Sequence, residues 1–134
     1  GKGLHVVAPV QPKAEWPQVK AFTKSIAVSM TQDSPGNFVS TIAKSKRRGK
    51  ILVDYLRNQR GATAVAPYST RARPGAAVSM PLAWEELSAA IGPDYFTIAK
   101  TLARLDSLTN DPWRDFRQAA VPIETPKRGK GKKA

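Results

Sequence analysis

The residues of this chain that could do chemistry are concentrated around Asp54, one carboxylate inside the largely apolar run 50–58. With the two-residue period of a strand, Asp54 shares a face with Leu52 and Leu56. A carboxylate held among apolar side chains loses hydration, which a hydrogen-bonded cation or a metal has to replace unless the group protonates. The sequence therefore predicts a positive partner for Asp54: a nearby Arg or Lys, a divalent metal, or a metal carrying a phosphorylated ligand.

Basic residues immediately precede this run and could bind an anion. They are Lys44, Lys46, Arg47, Arg48 and Lys50. A block of this kind can equally be a solvated helix face, but its place just before the predicted buried acid favours a functional role. The alternative to metal binding is a structural role, in which Asp54 forms a salt bridge to Arg57, Arg60 or Arg71.

A second candidate anion site lies at the start of the chain. His5 follows Gly1-Lys2-Gly3, in which the glycines let backbone amides approach an anion and Lys2 adds positive charge. The alternative is an isolated surface histidine after a flexible terminus. Elsewhere, no Ser/His/Asp arrangement, Walker loop or zinc spacing is present, so the common hydrolase and nucleoside triphosphatase classes are excluded.

Composition points to an anionic partner. The chain has 134 residues, with 22 Lys and Arg against 10 Asp and Glu, and a formal net charge of +12. Nucleic acid is the commonest partner for such an excess. Because there is no cysteine and one histidine, any metal must be a hard cation bound by oxygen. No apolar run approaches the roughly 20 residues that span a bilayer, so we expect a soluble, intracellular protein without a membrane partner.

The elements that must position these residues are predicted from periodicity and turn chemistry. Apolar spacing predicts helices over about 15–31 and 97–108, and acidic residues after Trp84 indicate the start of another helix. Strands are predicted for Leu4–Val10, the Asp54 run and Thr63–Ser69, followed by a turn at Arg73-Pro74-Gly75 and a short extended piece at Ala77–Met80. This order predicts an α+β fold with a mostly antiparallel sheet. The aromatic residues at helical or capping positions are expected to pack in the core: Trp16, Phe22, Trp84 and Trp113.

The chain divides by composition into a folded domain, 1–123, and a low-complexity basic segment, 124–134, which is predicted to be a disordered tail or linker. The chain lacks an initiator Met and begins with a glycine-rich basic segment that leads directly into a strand. We therefore expect it to be a piece of a longer protein.

Several motifs of the chain belong together. They are Gly1-Lys2-Gly3-Leu4-His5-Val6-Val7, the Asp54 run, the segment from Arg60 to Gly75 that contains Pro67-Tyr68-Ser69-Thr70-Arg71, the segment from Val78 to Leu87, Phe96-Thr97 and Asp111-Pro112-Trp113. In combination they resemble one family, the polymerase domain of bacterial ligase D in the archaeo-eukaryotic primase superfamily. The resemblance covers nearly everything before the tail.

The resemblance implies template-directed nucleotidyl transfer with two Mn²⁺ or Mg²⁺ ions, serving the end joining of DNA double-strand breaks. By resemblance, Asp54 is a catalytic metal-binding carboxylate on an RRM-like sheet with flanking helices. By the same resemblance, the triphosphate-binding residues are Lys2, His5, Arg47 and Arg71. Lys44, Lys46 and Arg48 are expected to bind DNA. The implied partners are DNA ends and nucleoside triphosphates, with a ligase domain and an end-binding protein of the pathway. The implied location is the cytoplasm, at the bacterial nucleoid.

One motif of the family is missing from this sequence. The first metal-binding motif, Asp-x-Asp, does not occur in the 134 residues. Because one Asp cannot hold two metals, the chain is expected to be the C-terminal half of a catalytic domain and inactive alone. The alternative is a noncatalytic nucleic-acid or nucleotide-binding protein derived from that fold.

Overall fold

The structure is a computed structural model that describes residues 3–124. Backbone contacts divide the chain into two compact units. Among the described residues, unit 1 is formed by 3–9 and 64–120, and unit 2 by 10–63 and 121–124. Each unit is therefore assembled from two segments that are distant in sequence.

The first element of unit 2 is helix α1, Trp16–Asp33. Pro17 occupies the first turn, where its missing N–H costs nothing, and the Glu15 N–H donates to Gln18 Oε1 at 2.7 Å. The predicted helix over 15–31 is confirmed. The helix packs against strand β1, Phe38–Val39, and buries Ala27.

Strand β1 pairs with β2, Ile51–Leu52, in a two-stranded sheet. The pairing is parallel, with Phe38 opposite Ile51 and Val39 opposite Leu52. The connection between them runs through a 3₁₀ turn, Lys44–Lys46, and is long enough to bring β2 back in the same direction as β1.

The prediction of a mostly antiparallel, RRM-like sheet is wrong, because the described residues form this two-stranded parallel sheet. Single bridges add to it: Val10 with Val121 in unit 2, and Thr70 with Val78 in unit 1. The predicted strands Leu4–Val10 and Thr63–Ser69 do not form. An extended segment becomes a strand only where a neighbour completes its hydrogen bonds, and Pro67 removes a donor from the second segment.

Unit 1 contains helix α2, Ile98–Ser107, which confirms the helix predicted over 97–108. Thr97 is its N-cap and accepts the Lys100 N–H through Oγ1 at 3.3 Å. The helix predicted after Trp84 is a single 3₁₀ turn, Trp84–Glu86. Buried side chains of this unit include Ala77, Val78 and Phe96, with Thr101 on the inner face of α2.

Both helices leave apolar side chains exposed. The exposed fractions include 44% for Ile26 on α1 and 59% for Leu102 on α2, and no large side chain of the described residues is fully buried. The expectation that Trp16 and Trp84 pack in the core is wrong, since they are 50% and 70% exposed. The apolar spacing in the sequence correctly predicted where the helices lie. Within the described residues, no other surface covers all of their apolar side chains.

Candidate functional site

Unit 1 contains a cavity of about 470 Å³. Its walls come from residues within the segments 3–7, 64–67, 71–73, 77–82 and 91–94, and from Phe96 and Trp113. The volume lies within the range of small-molecule binding pockets, about 300–1,000 Å³.

Basic side chains contribute to the lining of this cavity. They come from His5, Arg71 and Arg73; Arg71 is half-buried, whereas His5 and Arg73 are exposed. Asp94 adds a carboxylate to the lining. Arginine presents a planar fork of donors that matches phosphate oxygens, so a phosphorylated ligand suits this lining.

A hairpin holds Arg71 in the wall. The Arg71 N–H donates to the Ala77 carbonyl at 3.0 Å, next to the Thr70–Val78 bridge. The predicted turn at Arg73-Pro74-Gly75 forms and is closed by the Ala76 N–H, which donates to the Arg73 carbonyl at 2.9 Å. A hydrogen bond to a neighbouring segment holds the hairpin in place: the Val78 N–H donates to the Phe96 carbonyl at 2.8 Å.

The hairpin begins with a β-bulge at Tyr68. The Tyr68 N–H donates to the Ser79 carbonyl at 2.7 Å, while the Ser79 N–H donates to the Ser69 carbonyl at 2.9 Å, so two residues of one strand face one of the other. Tyr68 has a φ of 62° and follows Pro67 in a turn closed by the Ser69 N–H on Ala66. This is the third position of a type II turn, which normally requires Gly or Asn.

The Tyr68 side chain is tied to a distant segment. Its hydroxyl donates to Asp111 Oδ2 at 2.8 Å, and the other oxygen of the same carboxylate accepts the Trp113 N–H at 2.7 Å. Burial and, to a smaller extent, the hydrogen bond to Asp111 raise the pKa of Tyr68 to about 12. The hydroxyl is therefore protonated at neutral pH and donates the hydrogen bond to Asp111. The Trp113 ring stacks on Phe116 with centroids 5.0 Å apart.

An ion pair links the 3₁₀ turn to α2. The Arg104 guanidinium donates to both oxygens of Glu86, one of them at 2.8 Å, and lies 5.6 Å from the centroid of the Phe96 ring. The hydrogen bond to Arg104 lowers the pKa of Glu86, and the same bond raises the pKa of Arg104. Glu86 Oε2 also accepts the Ala83 N–H at 2.7 Å. The pair fixes α2 beside the wall that contains Phe96.

Asp54 belongs to unit 2 and lies beyond the end of β2. The predictions that the strand covers the whole run and that Asp54 is buried are wrong, because Asp54 is exposed. Its Oδ1 accepts the Leu56 N–H at 2.9 Å, and the Asn58 N–H donates to the Tyr55 carbonyl at 3.2 Å. The aspartate side chain thus forms a local turn that competes with the strand. Within the described chain Asp54 has no ion pair with an arginine.

The basic block also lies in unit 2. Lys44, Lys46 and Arg48 are exposed around the 3₁₀ turn, and Arg47 is half-buried at its end. The structure therefore brings His5 and Arg71 to one cavity and places Arg47 and Asp54 in the other unit. Lys2 and residues 125–134 lie outside the described residues.

The described residues alone do not fit a two-metal site. No group of three His, Asp or Glu side chains within residues 3–124 is arranged to hold a metal ion. Two divalent ions need several bridging carboxylates, and Asp54 offers one.

Neither helix within residues 3–124 combines the length and the apolar composition that a membrane span requires.

Sequence reasoning did not identify Tyr68, Asp111 and Trp113 as parts of one arrangement. In the sequence, Asp111-Pro112-Trp113 is one motif of the family resemblance, and Tyr68 lies in the predicted strand Thr63–Ser69. The available signal was the tyrosine after Pro67, at a turn position that usually takes glycine. The contact from Tyr68 to Asp111 spans 43 residues and is visible only in the structure.

Comparison with known proteins identifies relatives. A family model described as LigD, primase-polymerase domain, matches residues 1–113. The multifunctional non-homologous end joining protein LigD of Pseudomonas aeruginosa is 41% identical over 117 residues, which are 87% of this chain and 14% of that protein. The bifunctional non-homologous end joining protein LigD of Bacillus subtilis is 32% identical over 116 residues, which are 86% of this chain and 19% of that protein.

A solved structure is similar as well. The polymerase domain of Mycobacterium tuberculosis ligase D in complex with DNA matches with a TM-score of 0.69 and 29% sequence identity. The match covers 78% of this chain and 36% of that one. The chain thus spans about a third of the solved domain, and less than a fifth of the two relatives above.

Proposed function

The chain belongs to the LigD primase-polymerase domain family, and from that premise we propose that it is the part of a DNA-repair polymerase domain that binds the incoming nucleoside triphosphate at a DNA end. The reaction of the complete domain would be nucleotide addition during non-homologous end joining. The observation that carries the proposal is the convergence of His5 and Arg71, which are far apart in sequence, on one cavity of about 470 Å³.

The cavity has the two kinds of surface that a nucleotide needs. Arg71 offers donors and positive charge to a triphosphate and His5 offers a ring N–H donor, while Phe96 and Trp113 offer apolar surface to a base or ribose. The catalytic contribution of these residues is positional, since they hold the triphosphate in one orientation without taking or giving a proton.

Metal ions belong to the complete domain in this proposal. Asp54 would supply one carboxylate ligand to Mn²⁺ or Mg²⁺, and the remaining ligands must come from outside residues 3–124. The exposed position of Asp54 leaves its second oxygen accessible. The 134-residue chain alone is then a nucleotide-binding and DNA-binding protein that does not polymerise, which is also the behaviour of the noncatalytic alternative.

Nucleotide binding by the chain tests the cavity assignment. We expect ATP to bind in calorimetric titration, and Arg71→Ala to weaken binding about tenfold or more, because a charged hydrogen-bond donor to phosphate is lost. His5→Ala should weaken binding by a smaller factor. Arg117→Ala is the matched control, since Arg117 is exposed in the same unit and does not line the cavity. Equal affinities for Arg71→Ala and Arg117→Ala would refute the assignment.

Catalysis separates the leading proposal from the noncatalytic alternative. A protein in which the chain is joined to a segment with an Asp-x-Asp strand should add nucleotides to a DNA end in the presence of Mn²⁺, and Asp54→Ala should abolish the addition. An extended protein that remained fully active without Asp54 would rule out the metal-ligand role. An extended protein that bound ATP and never added a nucleotide would favour the alternative.

A further inference from the structure

We propose that Tyr68 is a positioning residue for the nucleotide cavity, which holds Arg71 and Trp113 in the wall through the bulge that it occupies and through the carboxylate of Asp111. Tyr68 does not itself line the cavity, whereas Arg71 and Trp113 do. The inference rests on the proposed nucleotide-binding function of the cavity. It concerns a residue to which the family resemblance assigned no role.

The backbone of Tyr68 is the first observation. A tyrosine at a φ of 62° is held where glycine would be unstrained, because its Cβ crowds the following carbonyl oxygen. Such an outlier persists only when the surrounding structure imposes it. Here the imposing contacts are the hydrogen bond from the Tyr68 N–H to the Ser79 carbonyl and the bond from the Tyr68 hydroxyl to Asp111.

The bulge holds the open end of the hairpin that carries Arg71. Arg71 lies three residues after Tyr68 on the bulged strand, and the Thr70–Val78 bridge joins the two strands between them. The turn sets the register of the hairpin, while the bulge keeps the Tyr68 end of the strand paired with Ser79. A change at Tyr68 therefore loosens the strand that brings Arg71 to the wall.

The Asp111 carboxylate connects the bulge to the other wall. One oxygen accepts the Tyr68 hydroxyl at 2.8 Å, and the other accepts the Trp113 N–H at 2.7 Å. A single carboxylate therefore joins the Tyr68 side chain to the backbone that carries the indole. Hydrogen bonds to a charged acceptor are about twice as strong as neutral ones, so the connection resists displacement.

The test measures ATP affinity and the environment of Trp113 in the same protein. Trp16→Phe and Trp84→Phe together leave Trp113 as the remaining one of three tryptophans. In that background, Tyr68→Phe removes the hydroxyl and keeps the ring. We expect the dissociation constant for ATP to rise about tenfold and acrylamide quenching of Trp113 to increase.

Conservative variants distinguish positioning from a general loss of structure. Asp111→Ala should match the effect of Tyr68→Phe, and the double variant should be no worse, because both changes break the same connection. Asp111→Asn should stay near wild-type affinity, since its amide can donate to the Tyr68 oxygen and accept the Trp113 N–H. Tyr95→Phe is the matched control: Tyr95 is in the same unit, outside the cavity lining, and its contacts with Phe96 and Lys100 involve the ring.

The outcomes are separable. Wild-type affinity and quenching in Tyr68→Phe, while Arg71→Ala loses ATP, would overturn the positioning inference and leave the proposed function standing. Additive losses in the double variant, or a loss in Asp111→Asn as large as in Asp111→Ala, would also overturn it. If Tyr68→Phe lowered thermal stability, the Trp113 quenching and the Asp111→Asn rescue, both measured well below the melting temperature, would still decide. If Arg71→Ala bound ATP like wild type, the proposed function would fail first.

Discussion

Asp54 shows how one short polar side chain redirects a strand. Its carboxylate reaches the backbone N–H of Leu56 at 2.9 Å, which satisfies a donor that a strand partner would otherwise have bound. β2 ends at Leu52, and Asp54 faces solvent. The same geometry leaves one carboxylate oxygen accessible, so a turn-forming role and a metal-binding role make different demands on the side chain.

Substitution of Asp54 should separate these two roles. Asp54→Ala is expected to lower the free energy of unfolding by about 0.5–1 kcal/mol, because the Leu56 N–H loses its acceptor, whereas Asp54→Asn keeps an acceptor and should stay near wild type. Chemical denaturation of the 134-residue chain measures this difference. In the extended protein, both variants should lose nucleotide addition, since an amide is a poor ligand for Mn²⁺ or Mg²⁺. Retained activity in Asp54→Asn would contradict the metal-ligand role.

At the scale of elements, ion pairing attaches α2 to the 3₁₀ turn that precedes it. Glu86 accepts from Arg104 on the helix and from the backbone of Ala83, so a single carboxylate closes the turn and binds the helix. The Arg104 side chain is 16% exposed and that of Glu86 30%, so the pair is partly protected from solvent. A pair of this kind contributes more than one on the open surface.

Stability should depend on pH through this pair. The pKa of folded Glu86 lies below its ordinary value of 4.5, chiefly through the hydrogen bond to Arg104, so the contribution is complete above that value. It is lost as the pH falls from 4.5 through the folded pKa. Denaturation between pH 7 and pH 3 should show a stability difference between wild type and Glu86→Gln at neutral pH that shrinks in acid. Glu85→Gln, at the exposed neighbouring position, is the control and should show no such trend.

At the scale of the whole molecule, a net charge of +12 is combined with a modest set of buried apolar residues. The chain matches about a third of the solved polymerase domain, so it contains only part of the surfaces that meet in that domain. Within residues 3–124, both helices expose apolar side chains. The charge does not depend on complete packing, because exposed lysines and arginines bind phosphates from any well-solvated surface.

DNA binding by the chain should therefore be strong at low salt and fall steeply toward physiological salt, since each Lys or Arg contact releases a counterion. Lys44→Ala, Lys46→Ala and Arg48→Ala together should weaken binding and reduce the slope of log affinity against log salt. The matched control removes the same charge from the first part of unit 2, at Lys13, Lys20 and Lys24. Equal losses from the two triple variants in fluorescence anisotropy would show that net charge, and not the block, binds the DNA. Removal of residues 124–134 should lower the affinity further.

The sequence by itself determined the two helices, the turn at Arg73-Pro74-Gly75, the anionic class of partner and the family. These properties depend on local periodicity, turn chemistry, charge and short motifs, all of which can be read without knowing which segments meet. Only the tertiary structure decided that β1 and β2 are parallel, that Asp54 is exposed after a strand end, and that Tyr68, Asp111 and Trp113 form one connection. Each of these depends on which distant or competing group satisfies a particular hydrogen bond, and a linear pattern does not specify that choice.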